Sequence, residues 1–91
     1  MAESAGIQCM LGCFGETRLG LTIAAHLAIA RPNIAFLDLD CAYSHAEDPI
    51  IGGMQYDKKI GGLIHVSESP GLGLDVKKEF LDNCENYTIQ K

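Results

Sequence analysis

Ile7 to Cys13 is apolar on both faces over a run of strand length, the pattern of a buried parallel strand. Gly12 and Gly15 then mark a short turn, and Thr17 to Ala30 predicts a helix with Leu, Ile and Ala at almost every position. Its polar exceptions, Arg18, Thr22 and His26, recur every four residues and fall on one narrow stripe. That stripe is expected to face solvent, with the rest of the helix covered. Arg31-Pro32-Asn33 ends the helix, because the residue before proline avoids the helical region and proline donates no amide hydrogen bond. Ile34 to Asp40 predicts a second strand, with Ile34, Phe36, Asp38 and Asp40 on one face and Ala35, Leu37 and Leu39 on the other. Strand, helix and strand joined by short links make a parallel βαβ unit.

Before this unit, Ala2 to Ala5 suit a helix and Gly6 stands where a left-handed C-cap glycine belongs. A helix end without a start is expected of a chain that more sequence precedes, the alternative being a frayed terminus. After it the pattern changes. Residues 41–53 read as a loop, Met54–Tyr56 and Leu63–Val66 as a hairpin across Asp57-Lys58-Lys59 and Gly61-Gly62. Gly71 to Val76 reads as a short extended segment and Lys77 to Asn83 as a helical turn before a polar tail.

Composition narrows the picture. Ninety-one residues leave room for one domain, and an apolar fraction of 47% with 21% charged residues is ordinary for a globular chain. The apolar, uncharged stretch Leu19–Ala30 falls short of the roughly 20 residues of a membrane helix, and no basic cluster opens a signal sequence. A cytoplasmic location is therefore expected. Seven basic against twelve acidic residues give a net charge of −5, and the only basic doublets are Lys58-Lys59 and Lys77-Lys78. Both facts argue against nucleic acid and anionic membrane as partners.

Several groups could carry chemistry. Cys9, Cys13, Cys41 and Cys84 contain no Cys-x-x-Cys pair, so buried free thiols in a reducing compartment are expected. A zinc site from Cys9, Cys13 and a histidine is a weaker reading. Gly12-x-x-Gly15 precedes a helix but lacks a following lysine, and Glu16 would repel a phosphate, which argues against a nucleotide. His45, Glu47 and Asp48 lie close enough in sequence to catch a metal, although solvated loop residues read the same way. Asp38 and Asp40 are the sharper feature. They project side by side from the carboxyl end of a parallel strand, where α/β proteins place ligands, and their repulsion calls for a cation or for hydration.

The segment Gly12-Cys13-Phe14-Gly15-Glu16-Thr17-Arg18-Leu19-Gly20 resembles one found in dipeptide epimerases of the enolase superfamily. Ala24-Ala25-His26-Leu27-Ala28, Asp38-Leu39-Asp40, Ala46-Glu47-Asp48-Pro49, Gly52-Gly53 and Pro70-Gly71-Leu72-Gly73 continue the likeness in order and spacing. The resemblance implies an α/β chain that is the last βαβ unit of a (β/α) barrel followed by a C-terminal β-hairpin and tail. Residues 1–53 would then belong to the barrel and 54–91 to an extension returning toward a capping domain. Such enzymes move a proton α to a carboxylate with Mg²⁺. In them paired lysines act from the second and sixth strands, and acids on strands three to five hold the metal.

On this resemblance the chain contains none of those strands, and Lys58, Lys59, Lys77, Lys78 and Lys91 match neither lysine position. No catalytic residue and no metal ligand carries over. Asp38 and Asp40 do, as binders of a dipeptide's α-ammonium group, and Glu16 falls near the barrel mouth as a third substrate-facing acid. Cys41-Ala42 replaces the Gly-Pro that usually follows Asp-x-Asp, which points to a different loop and substrate preference. Muconate cycloisomerases and acyl-amino-acid racemases share the architecture. The implied partners are a dipeptide or other carboxylate substrate and the N-terminal part of the parent enzyme. The rival reading is a stand-alone, non-catalytic α/β module that self-associates through unpaired strand edges and apolar helix surface.

Overall fold

The computed structural model describes residues 1–91, and the expected parallel unit is present in it. Strand β1 (Cys9–Leu11) pairs in parallel with β2 (Ile34–Leu37), and helix α1 (Arg18–Ala30) links them. The register slips between Cys9 and Met10, so Ala35 has no partner of its own. Both strands are shorter than their apolar runs. Beyond Leu37 the pairing persists only as the Asp38 amide donating to the Leu11 carbonyl at 2.8 Å. The first residues form a 3-10 turn, Glu3–Ala5, closed by Gly6 in the left-handed region at φ 70°.

The loop expected over residues 41–53 has structure of its own. Cys41–Ser44 winds into a 3-10 turn, and β3 (Ile50–Gly52) pairs antiparallel with β6 (Leu74–Val76). Between these lies the expected hairpin, β4 (Gln55–Tyr56) against β5 (Ile64–His65). Asp57 shapes its turn by accepting from the Lys59 and Ile60 amides and pairing with His65 Nε2 at 2.8 Å. A short helix α2 (Lys78–Asp82) follows β6.

The polar stripe on α1 is not exposed, contrary to the pattern-based expectation. Arg18 and Thr22 are among the most buried residues, because residues 48–54 lie across them. The Arg18 guanidinium donates from Nε to Asp48 Oδ2 (2.6 Å), from Nη1 to the Gly52 and Met54 carbonyls (2.5 and 2.7 Å), and from Nη2 to the Ile50 carbonyl (2.6 Å). Thr22 Oγ1 donates to the Arg18 carbonyl and accepts the Met54 amide at 2.9 Å. Gly53 makes this approach possible: a Cβ there would stand 2.7 Å from Thr22 Oγ1, and its φ of 71° suits only glycine. His26 continues the stripe half-buried, with Nε2 enclosed and unpartnered.

Leu21, Ala25, Leu39 and Met54 form the core beside these polar contacts, with Leu11, Cys13, Tyr56, Ile64 and Val66 packed around them. It is a small core. Expectations that both strands are covered on both faces and that α1 is covered around most of its circumference fail within this chain. Met10, Phe36 and Leu37 on the sheet, and Ile23, Leu27 and Ile29 on the helix, are each about half exposed or more. The radius of gyration is 15.5 Å, against ~12 Å for a compact chain of this length.

Replacing Arg18 by alanine leaves three backbone carbonyls and Asp48 without their donor. Hydrogen bonds to charged groups carry 1.5–3 kcal/mol each at most, so a loss of about 3 kcal/mol in urea unfolding is expected. Arg31→Ala, which breaks only an exposed 3.7 Å pair with Glu3, is expected to change stability by about 0.5 kcal/mol or less. Asp57 gives a pH test. The hydrogen bond from His65, then those from the Ile60 and Lys59 amides, hold its carboxyl down at about 2. A folded-state value below the unfolded one supports stability above about pH 4 that is lost as pH falls toward 2. Carboxyl NMR titration of Asp57 should show a midpoint near 2, and Asp57→Asn should remove this part of the acid sensitivity.

Candidate functional site

Three turns meet at the carboxyl ends of β1 and β2. Residues 12–17 lead from β1 into α1, residues 38–40 follow β2, and the Cys41–Ser44 turn leaves the sheet. Leu39 anchors the middle of this group in the core at 3% exposure, and its two neighbours, Asp38 and Asp40, are exposed. One oxygen from each acid and the Cys13 sulfur all lie within 4.8 Å of one another. The structure thus brings the predicted carboxylate pair together. Asp40 already has torsions of φ −97° and ψ −6°, so the pair follows the strand rather than belonging to it.

Glu16 stands on the other side of Cys13. Its Oε2 accepts the Phe14 amide at 2.6 Å, a bond that, with its own amide's, holds the carboxyl below its ordinary value. Cys41 Sγ lies 3.6 Å from the same Oε2, and Cys13 Sγ donates to Asp40 Oδ1 at 3.7 Å. The Cys13 thiol is pushed up to about 11, first by its hydrogen bond with Cys41 and then by burial. The expected buried thiols are therefore a correction: Cys9, Cys13 and Cys41 are half-buried and Cys84 is exposed, all four free. Strand ends open at the mouth of the unit keep Cys13 and Cys41 near solvent.

A groove of about 380 Å³ runs along the acid pair, bounded also by Tyr43, Tyr56, Leu63 and Ile64. Tyr43 and Tyr56 stack with centroids 4.1 Å apart, and the Tyr56 hydroxyl donates to the Leu39 carbonyl at 2.5 Å. Burial first of all pushes the Tyr56 phenol up to about 12, so it is a donor at neutral pH. Neither tyrosine was singled out by sequence reasoning. The placement of Tyr56 in the hairpin was visible, but its reach back to Leu39 was not.

The other candidate groups separate. Asp48 is engaged by Arg18 and by the Ile50 amide; burial pushes its carboxyl up, but these two bonds outweigh burial and leave it lowered. His45, Glu47 and Asp48 do not converge as a ligand set, and Cys9 turns toward Asn33 rather than toward Cys13. The two convergent sets, Cys13–Glu16–Cys41 and Cys13–Asp38–Asp40, do not fit Mg²⁺, which takes about six oxygen ligands.

A parallel βαβ unit with acids gathered at its carboxyl edge is a recurrent ligand-binding arrangement of α/β proteins. Residues 1–80 match the model of the enolase C-terminal domain-like family, and the chain belongs to that family. It is 37% identical over 89 residues to the D-Ala-D/L-Ala epimerase of Cytophaga hutchinsonii, covering 98% of this chain and 24% of that protein. It is 43% identical over 75 residues to the hydrophobic dipeptide epimerase of Enterococcus faecalis, covering 81% of this chain and 21% of that one. The crystal structure of the Cytophaga hutchinsonii dipeptide epimerase, complexed with Mg and the dipeptide D-Ala-L-Val, superposes with a TM-score of 0.84 at 38% identity. That match covers 92% of this chain and 22% of the other. The chain thus spans about a quarter or less of the length of the curated relatives it matches.

The contact between the thiols yields a direct test. Cys41→Ala removes the largest cause of the raised Cys13 value, which should fall from about 11 toward the ordinary thiol range. The pH dependence of Cys13 alkylation, followed by mass spectrometry, reads this shift. An unchanged profile would remove Cys41 as the cause.

Proposed function

We propose that this chain is the C-terminal part of a Mg²⁺-dependent isomerase of the dipeptide epimerase type, forming one wall of its substrate pocket. Residues 1–53 supply the last βαβ unit of a (β/α) barrel, and residues 54–91 return toward the capping domain. The observation that carries this reading is the convergence of Asp38 and Asp40 at the carboxyl edge of β2, beside an open groove. The named activities of the matching relatives favour a dipeptide over a muconate-type substrate. Free thiols are in keeping with a cytoplasmic location.

In this role the two carboxylates bind the dipeptide's α-ammonium group. Two neighbouring anions repel each other, and a ligand cation relieves that repulsion while donating short, charge-assisted hydrogen bonds to them. The contact orients the substrate and leaves its α-proton to groups elsewhere in the parent. Glu16 adds a third negative charge at the same mouth. No residue of this chain is assigned as base or Mg²⁺ ligand, so the chain is inactive alone.

The test grafts this chain onto the Cytophaga hutchinsonii epimerase in place of the segment it matches. Epimerisation of alanine dipeptides by the chimera is expected. Asp38→Asn and Asp40→Asn should each raise KM by about 10–100-fold with a smaller change in kcat, as for a charged hydrogen bond of 1.5–3 kcal/mol. An N-acetylated dipeptide, which has no ammonium group, should bind poorly and ignore both substitutions. Equal handling of free and acetylated dipeptides would refute the assignment. Solvent-deuterium exchange at the α-carbon catalysed by the isolated chain with Mg²⁺ would refute its inactivity.

A second reading draws on the exposed apolar faces of β1, β2 and α1. Met10, Phe36 and Ile29, at 59%, 58% and 73% exposure, suit a module that associates with copies of itself. Light scattering separates the two: a monodisperse small oligomer, folded and stable, supports the module.

A further inference from the structure

We infer that Cys13, Cys41 and Glu16 form a binding site for a thiophilic divalent cation of the zinc class, distinct from the Mg²⁺ chemistry of the proposed parent. The three ligand atoms lie within 4.8 Å of one another, Cys13 and Glu16 from the turn between β1 and α1 and Cys41 from the turn that follows β2. A tetrahedral ion with bonds of about 2.3 Å to sulfur and about 2.1 Å to oxygen sets S···O edges of about 3.6 Å. The Cys41 Sγ–Glu16 Oε2 separation is 3.6 Å, so this edge already has the required length. Cys13 Sγ and Asp40 Oδ1, 3.7 Å apart, provide a second such edge and a candidate fourth ligand.

The donor set selects the metal. Two thiols and a carboxylate match zinc or its cobalt and cadmium analogues, and they disfavour magnesium and calcium, which require oxygen throughout. Access is open, since both cysteines are half-buried and Glu16 is exposed. Glu16 is also held in place by the Phe14 amide, which lowers the ordering needed on binding. Binding exchanges the two thiol protons for the metal and releases them to solvent, so affinity rises with pH. Because Asp40 lies at the same site, an ion there would oppose the arrival of an ammonium group.

Cobalt(II) provides the probe, added to the full 91-residue chain under a phosphine reductant with excess Mg²⁺ present. The expected result is a thiolate-to-cobalt charge-transfer band, with the visible bands of tetrahedral cobalt, both removed by Zn²⁺. Cys13→Ser and Cys41→Ser should each lose much of the charge-transfer intensity. Glu16→Gln should keep the band but require more cobalt. The Cys9→Ser/Cys84→Ser double variant should match the unsubstituted chain. The inference is overturned by the absence of a tetrahedral signal, by its survival in a Cys13→Ser/Cys41→Ser double variant, or by its loss when only Cys9 and Cys84 are replaced.

Discussion

A guanidinium that cannot give up its proton can be buried only where enough acceptors surround it. Arg18 meets that requirement with one carboxylate and three backbone carbonyls, all drawn from residues 48–54. The rest of the structure follows from this contact. Holding residues 48–54 against α1 puts Met54 into the core and starts the hairpin at a defined place. The hairpin carries Tyr56 to the Leu39 carbonyl, and Leu39 separates the two acids of the groove. One buried charge on the helix thus helps to set the position of a pair of charges at the neighbouring strand end. The cation is held by main-chain oxygens, which no side-chain substitution removes, so the arrangement depends on Arg18 more than on its partners.

The molecule is asymmetric in a telling way. Around Arg18, Thr22 and Met54 the packing is dense enough that Gly53 has no room for a methyl group. Across β1, β2 and the outer face of α1, large apolar side chains are about half exposed or more. Dense packing at one edge and exposed apolar surface at the other give the chain two unlike faces. The relatives that it matches are about four times as long.

Periodicity made the parallel unit legible, along with the hairpin, the αL glycine after the first turn and the adjacency of Asp38 and Asp40. It failed on Arg18 and Thr22, for a definite physical reason. A spacing of four shows that polar residues share a face, but not whether that face meets water or another backbone. The clue lay elsewhere in the chain: Gly52-Gly53 is a segment able to approach a helix closely, and a stripe beginning with Arg and Thr offers the donors and acceptor it needs. The meeting of Cys41 with Cys13 was not legible, for a related reason. Cys13 and Cys41 share no local motif, yet the parallel βαβ topology necessarily brings both strand ends to the same edge. Spacing rules for cysteines assume local loops and do not see such encounters. The burial expected of both strands failed because an apolar run shows that a strand suits a covered position, not that this chain supplies the cover.

The Arg18 joint and the thiol–acid cluster close nearly the same stretch of chain. Arg18 bonds to partners 30 to 36 residues away, and Cys13 and Cys41 meet Asp40 and Glu16 across 27 and 25 residues. Closing a loop of that length costs on the order of 3 kcal/mol of chain entropy. Once either contact has formed, the other needs only a small further restriction. The two are therefore thermodynamically linked: whatever ligand tightens the mouth also favours the Arg18 joint at the adjoining start of the helix. Occupancy of the groove would then be felt as resistance of the whole chain to unfolding.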